Sequence, residues 1–435
     1  MAREIPVPIN RASRLLKIGR LLGGVAVQVL RDGASALTDS KPLKANDLLL
    51  TPANAMLLAD RLSEMRGAAM KVGQLLSMEA GEYLPPMLTE ILATLRENAH
   101  PMPQGQVAQV LEGAWGKKWE DDFKQFSFTP LAAASIGQVH EATTKDGRHL
   151  AIKVQYPGIR KSIDSDVDNV AALFNLLRLI PRDYDITTLL KEAKQQLHQE
   201  ADYCAEADSI AEYRRFIGED SDFDLPAVDR SRTTSDVLTM SFVSGAPIET
   251  LVNTPIDVRN RVATRLLSLV LREVFEWGLV QTDAQFGNYR YQAEQDRIGL
   301  LDFGATRHYS DDLVDAFRRL MKAATEGDVS AIENTAVELG YLRKDESIPY
   351  RRGLYEMICA VAEPVRYQGG FDFGTSDLSR RVVESAVSLR LNQRYMHLPP
   401  TDMLFLHRKI GGTYLLCARL RAQVNVNRLV APYIQ

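Results

Sequence analysis

The chain has 435 residues, enough for two domains or one domain with large additions, and its 45% hydrophobic and 25% charged content is that of an ordinary globular protein. A formal net charge of −4 argues against nucleic acid as a partner. Cys204, Cys359 and Cys417 lie far apart and form no CxxC pair, which argues against a disulfide framework or a zinc site and fits a reducing, cytoplasmic compartment.

No uninterrupted apolar run approaches the roughly 18 residues of a membrane-spanning helix. Residues 1–31 carry Arg3, Arg11, Arg14, Lys17, Arg20 and Arg31 against Glu4 alone. Two readings are compatible with that imbalance. One is a basic amphipathic helix lying on an anionic membrane surface; the other is a helix packed on the domain with its basic face in water. As a signal-peptide cleavage site, RDGASA is a poor match.

After a polar linker, TPANAMLLADRLSEMRGAAMKVGQLLSMEAG reads as a long helix with Thr51 as N-cap and Pro52 at its first position. Leu58, Leu62, Met65, Ala69, Val72 and Leu76 recur at helical spacing along it, and a shorter helical stretch follows to about residue 125. From Phe126 the period changes. FSFTPLA, IGQVHEATT, a Lys145-Asp146-Gly147 turn and HLAIKVQY predict three antiparallel strands. Helical patterns return over 162–180 and 186–216, then a strand in TSDVLTMSFVSGAPI that ends at Gly245. The rest is mostly helical, interrupted by VQTDAQFGNYRYQAEQDRIGLLDFGA. The order gives four segments: 1–50 basic segment and linker, 51–125 helical extension, 126–245 a small sheet with an inserted helix, and 246–435 a helical half. The predicted class is α+β, with the two-lobed outline of a protein kinase and an N-terminal helical extension.

The strongest chemical signal is the pair QTDAQFGN and LLDFG. Asp283 and Asn288 stand five positions apart, as do the aspartate and asparagine of a kinase catalytic loop. The aspartate must face the reacting hydroxyl or water while the asparagine carbonyl turns to a magnesium ion. Asp302 follows Asn288 by 14 residues, room for one strand, the turn AEQD and a return strand. Its carboxylate suits Mg2+, a hard cation that prefers oxygen. A second DFG, at Asp372, has no D-x4-N a hairpin upstream and reads as a loop residue.

Lys153 in LAIKV matches the strand lysine that meets nucleotide phosphates and a helix glutamate. Glu206 lies 53 positions later, which leaves room for an inserted helix. On one continuous helix Asp202 and Glu206 share a face, and two like charges at that spacing call for a cation; a solvated acidic face is the alternative. Just before the lysine strand stands Ala132-Ala133-Ala134-Ser135. Alone it is a tight strand turn. Before Lys153 it reads as a nucleotide loop in which alanine methyls narrow the conformations that glycine allows, and altered nucleotide handling with weaker phosphotransfer is the expected consequence. Two features argue against protein phosphorylation. Thr282 precedes Asp283 where regulated kinases carry arginine, and DDLVDAFRRLMKAA begins a helix soon after Gly304, with no APE platform.

Together, LAAASIGQVHEA, KVGQLLS, QEADY, QTDAQFGN and LLDFGA resemble the UbiB family of atypical kinase-like proteins, also called the ADCK family. The likeness covers most of the chain, and LHRKIGGTYLLCARLRA at 406–422 resembles the C-terminal segment of its coenzyme Q branch. The resemblance implies that Lys71, Gly73 and Gln74 form a motif on a helix lying across the region where a protein substrate docks. It implies that Glu200 and Asp202 form the acidic motif facing it, that Lys153 and Glu206 pair, and that Asp283, Asn288 and Asp302 serve metal and phosphate. One departure is that the asparagine often following QTD-P is absent, with Ala284-Gln285 in its place; neither position ligates metal, so little effect is expected. The lack of C-terminal membrane helices, which some bacterial members carry, implies peripheral membrane association.

The expected ligands are therefore ATP, Mg2+ and an isoprenoid-quinone precursor or other lipid, with ubiquinone-biosynthesis enzymes as partners. The expected activity is ATP hydrolysis, with Asp283 orienting the attacking water or hydroxyl. Two alternatives remain open in the sequence. One is a small-molecule kinase with an unidentified acceptor; the other is a non-catalytic, nucleotide-gated lipid-binding scaffold.

Overall fold

The computed structural model describes residues 67–68, 71–72, 101–134, 136–176, 187–392 and 400–434. The basic segment 1–50, most of the helix expected over 51–81, and Gly73, Gln74 and Ser135 lie outside the described residues. The chain divides into two compact units, one of residues 1–207 and 227–242, the other of 208–226 and 243–435.

The first unit is built on a five-stranded antiparallel sheet. Its strands are β1 (Phe123–Phe126), β2 (Ala132–Ala133), β3 (Gly137–Thr144), β4 (His149–Gln155) and the strand Val237–Ser241. The order is β1-β3-β4 and then Val237–Ser241, with β2 also pairing β3. β1 begins at Phe123, three residues before the predicted change of period, because Trp119 and Phe123 belong to one aromatic cluster with Trp115 and Phe126. β3 and β4 join through the expected Lys145-Asp146-Gly147 turn, where Gly147 takes φ +86° and its N–H donates to the Thr144 carbonyl at 3.0 Å. Every residue of β4 after His149 is buried, so both faces of this strand are covered and LAIKV carries no period-2 alternation.

Helices Gln104–Trp115, Ile159–Leu176 and Thr187–Glu200 complete this unit, together with the start of the helix Tyr203–Ile217. The single helix expected over 186–216 is two. Asp202 stops the first and caps the second: its Oδ1 accepts from the N–H groups of Cys204 and Ala205, each at 3.2 Å. Asp202 and Glu206 therefore do not share one helix face, since Asp202 lies before the first turn.

The second unit is mostly helical. Its long central helix, Ile256–Phe275, buries Val262, Leu266, Leu269 and Val270 at helical spacing. Strands Tyr289–Gln292 and Arg297–Leu300 form a hairpin, and Leu279–Gln281 pairs with Thr306–His308. The hairpin turn is AEQD, with Asp296 at φ +51° and its carboxylate accepting from Tyr291 Oη at 2.6 Å and Arg261 Nε at 2.8 Å. Helices Asp311–Glu326, Val329–Glu338, Ile348–Val361, Leu378–Asn392 and Thr401–Arg419 follow. Ser310 caps the first of these and Gly327 ends it in the left-handed region. Among the described residues no helix is long and apolar enough to cross a membrane.

Candidate functional site

Each unit presents its own set of charged side chains. In the first, β4 places Lys153 and Gln155 on one face, two residues apart. Gln155 Nε2 donates to the Ala201 carbonyl at 3.0 Å and so holds the helix break over the strand. The helix that starts there brings Glu206 to Lys153, whose Nζ donates to Oε1 at 2.7 Å, both side chains being buried. Gly137 makes room for this arrangement: a Cβ there would lie 2.8 Å from Tyr203 Oη and 2.4 Å from the Val154 carbonyl oxygen. Lys71 is also buried, and its ammonium pairs with Glu200 at the end of the preceding helix. Asp202, assigned to the same acidic motif, is engaged in capping.

The alanine loop is a closed hairpin. Ala132 and Ala133 pair with Val139 and Gln138, both alanines are exposed, and the Ala134 N–H donates to the Gly137 carbonyl at 2.9 Å. One of the donors expected to meet phosphate is thus taken by the turn.

In the second unit the strand Leu279–Gln281 delivers Asp283, and the loop behind it is tied at several points. Gln281 Nε2 and Asn288 Nδ2 both donate to the Asp283 carbonyl, at 3.1 and 3.0 Å. The Leu301 N–H donates to the Asn288 carbonyl at 3.0 Å, which ties the catalytic-type loop to the DFG segment. Asp302 Oδ1 accepts from the Gly304 N–H at 3.0 Å. Thr282 is buried and bonds the Ala305 carbonyl through both its hydroxyl (2.7 Å) and its N–H (3.1 Å), so this position joins strands instead of gripping a phosphorylated residue. Asp372 closes a turn by accepting from the N–H groups of Gly374 and Thr375.

The same unit holds charged residues that sequence reading missed. Arg408, on the helix Thr401–Arg419, pairs through Nη2 with Asp283 Oδ1. The next residue, Lys409, is fully buried with Glu273, Nζ to Oε2 2.8 Å, and Tyr213 Oη donates to Glu273 Oε1 at 3.1 Å. Burial lifts the Glu273 carboxyl above its usual range despite the ammonium beside it. The triplet His407-Arg408-Lys409 inside an apolar helix was the available signal, because adjacent cations flanked by Leu406 and Ile410 need buried partners.

Asn288, Asp302, Glu273 and Lys409 line one small cavity. The bond from Asn288 Nδ2 fixes the amide so that Oδ1 is the atom left to ligate, and Asp302 adds a carboxylate. An amide oxygen with one carboxylate suits Mg2+, which takes few protein ligands and fills its shell from water and phosphate. Among the described residues no group of three or more His, Cys, Asp or Glu could hold a metal without such help.

Comparison with known proteins shows the family. The family model for the ABC1 atypical kinase-like domain matches residues 94–336. The chain is 35% identical over 430 residues to the mitochondrial atypical kinase COQ8B of Rattus norvegicus, covering 97% of this chain and 80% of that protein. It is 33% identical over 425 residues to the mitochondrial atypical kinase COQ8 of Saccharomyces cerevisiae, covering 97% and 84%. The Rv3197–erythromycin complex from Mycobacterium tuberculosis has a similar fold, with a TM-score of 0.61 at 25% identity over 88% of this chain and 95% of that one.

Proposed function

Because the chain belongs to the ABC1 (UbiB) atypical kinase-like family, we propose that it binds ATP with Mg2+ and hydrolyses it in support of isoprenoid-quinone biosynthesis at a membrane surface. In this reading Lys153, held by Glu206, serves the nucleotide phosphates, and Asn288 and Asp302 hold the metal. Bound Mg2+ would supply charge neutralisation for the phosphates. Asp283 orients a water whose oxygen attacks the terminal phosphorus; the bond to ADP breaks, and the water proton passes to the carboxylate. The observation that carries this reading is the tying of Asp283, Asn288 and Asp302 into one hydrogen-bonded frame by the bonds Asn288 Nδ2 to the Asp283 carbonyl and Leu301 N–H to the Asn288 carbonyl.

The reading departs from protein phosphorylation for a structural reason. Thr306–His308 pairs back onto Leu279–Gln281, and by Asp311 the chain is helical, so no long segment is left to seat a peptide. A lipid precursor of the quinone is the proposed beneficiary of turnover, and the basic stretch in residues 1–31 is the proposed membrane contact.

The test is phosphate release from Mg-ATP by the full chain, with and without anionic liposomes, beside Asp302→Asn. Release that depends on Asp302 and rises with liposomes supports the reading. ATP binding with no release under either condition sinks hydrolysis as the activity.

A further inference from the structure

The loop DAQFGN from Asp283 to Asn288 contains no cation. A cation beside the aspartate would add to the neutralisation that bound Mg2+ supplies, because carboxylate and phosphate repel and the transferring group gathers negative charge. The fold brings a cation from 125 positions away in sequence. Arg408 Nη2 pairs with Asp283 Oδ1, while Arg408 Nη1 is buried and has no hydrogen-bond partner among the described residues. Guanidinium is a rigid planar fork with donors on both nitrogens, so one arm occupied and one arm waiting is a geometry that lysine cannot reproduce. Buried N–H groups without an acceptor are rare in folded proteins and call for a missing partner.

A second observation concerns the same helix face. Gly412 lies one turn beyond Arg408, and a Cβ there would come 2.8 Å from Ala284 Cβ and 3.1 Å from the Ala284 carbonyl oxygen. The helix Thr401–Arg419 is therefore pressed directly on the loop, with glycine on one side and alanine on the other. One residue from Arg408, Lys409 is anchored to Glu273 on the helix Ile256–Phe275. A guanidinium held at this closeness by packing and a buried ion pair is preorganised.

We infer that Arg408 serves two roles in the reaction: through Nη2 it positions Asp283, and through Nη1 it binds an oxygen of the terminal phosphoryl group of the nucleotide. The inference rests on the Mg-ATP reading above. It predicts a property that a purely structural arginine lacks, discrimination between triphosphate and diphosphate.

Equilibrium binding of Mg-ADP and of a non-hydrolysable Mg-ATP analogue is measured for the native chain, Arg408→Met and Arg408→Lys, each checked for cooperative melting. Arg408→Met is expected to weaken the triphosphate by about tenfold or more, the scale of one charge-assisted hydrogen bond, and to leave ADP within about twofold. Arg408→Lys keeps a positive charge beside Asp283, so it is expected to fold even where the methionine variant does not. It too is expected to lose the triphosphate preference, because its donors sit on one nitrogen and cannot span the two Nη positions. Parallel weakening of both nucleotides assigns Arg408 a structural role and overturns the inference. Unchanged triphosphate affinity means that Nη1 meets only water, which overturns it equally. If the native chain binds neither nucleotide, the functional reading itself falls and this inference falls with it.

Discussion

Gly412 approaches Ala284 so closely that the helix Thr401–Arg419 and the loop carrying Asp283 have no room for a methyl group between them. Replacing glycine by alanine inside a helix ordinarily stabilises by about 0.5–1 kcal/mol. Here the steric term opposes that gain, because the 2.8 Å contact is to a Cβ that cannot swing aside. Gly412→Ala is expected to lose about 1–3 kcal/mol of stability through overpacking and to lower phosphate release by tenfold or more by displacing Arg408 from Asp283. Among the described residues the neighbouring Gly411 meets nothing within 4 Å of a built Cβ, so Gly411→Ala should show only the helix-propensity gain. Chemical denaturation and turnover of the two variants check this; equal behaviour of the pair removes any consequence from the close approach.

Lys153 and Glu206 are buried against each other, and the cost of separating them differs from their net worth. Lys153→Met removes the ammonium from beside a carboxylate that is 1% exposed, and is expected to cost about 3–5 kcal/mol. The double variant Lys153→Met/Glu206→Leu removes both charges and should recover much of that loss while remaining inactive. Urea melts of the three proteins, followed by phosphate release, separate the structural from the chemical role. Recovery of activity in the double variant refutes the assignment of Lys153 to nucleotide phosphate.

His140 makes the first unit sensitive to acid. Its Nδ1–H donates to the Ser127 carbonyl at 2.8 Å, and its Nε2 then accepts from Gln138 Nε2 at 2.9 Å, while Gln138 Oε1 accepts from the Met102 N–H at 2.8 Å. This network requires the neutral ring. Burial depresses the His140 pKa, against a smaller opposing effect of the Ser127 bond. The folded chain therefore resists a proton that the unfolded chain accepts near its ordinary value of about 6.5. Stability is fully present above that pH and is lost as pH falls toward the folded value, at up to about 1.4 kcal/mol per pH unit. The difference in unfolding free energy between the native chain and His140→Gln, followed from pH 7.5 to 5, should narrow as pH falls. A constant difference shows that His140 is not the titrating group.

Much of the local architecture was legible because local chemistry decides it. The Lys145-Asp146-Gly147 turn needs a residue at positive φ and has glycine there. The 14-position step from Asn288 to Asp302 holds one hairpin with the turn AEQD, as its length required. The helix break at Asp202 escaped the sequence reading because YCAEADS continues a helical pattern; what breaks it is a cap and a bond from Gln155, which is 46 residues away. The sequence offered two readings of the alanine segment, a tight strand turn and a nucleotide loop, and the pairing of Ala132 and Ala133 with β3 is compatible with both.

By itself the sequence determined the family, the α+β class and the spacing of Asp283, Asn288 and Asp302, because these depend on residue type, period and order along the chain. The family resemblance already implied that Lys153 meets Glu206 and that Glu200 faces the Lys71 motif. Only the tertiary structure decided that Lys409 meets Glu273 and, above all, that Arg408 meets Asp283. The reason is physical. A buried charge must find an opposite charge, but the chain supplies many of each sign. Which pair forms depends on how closely two backbones approach, and here on a glycine and an alanine that let one helix rest on one loop.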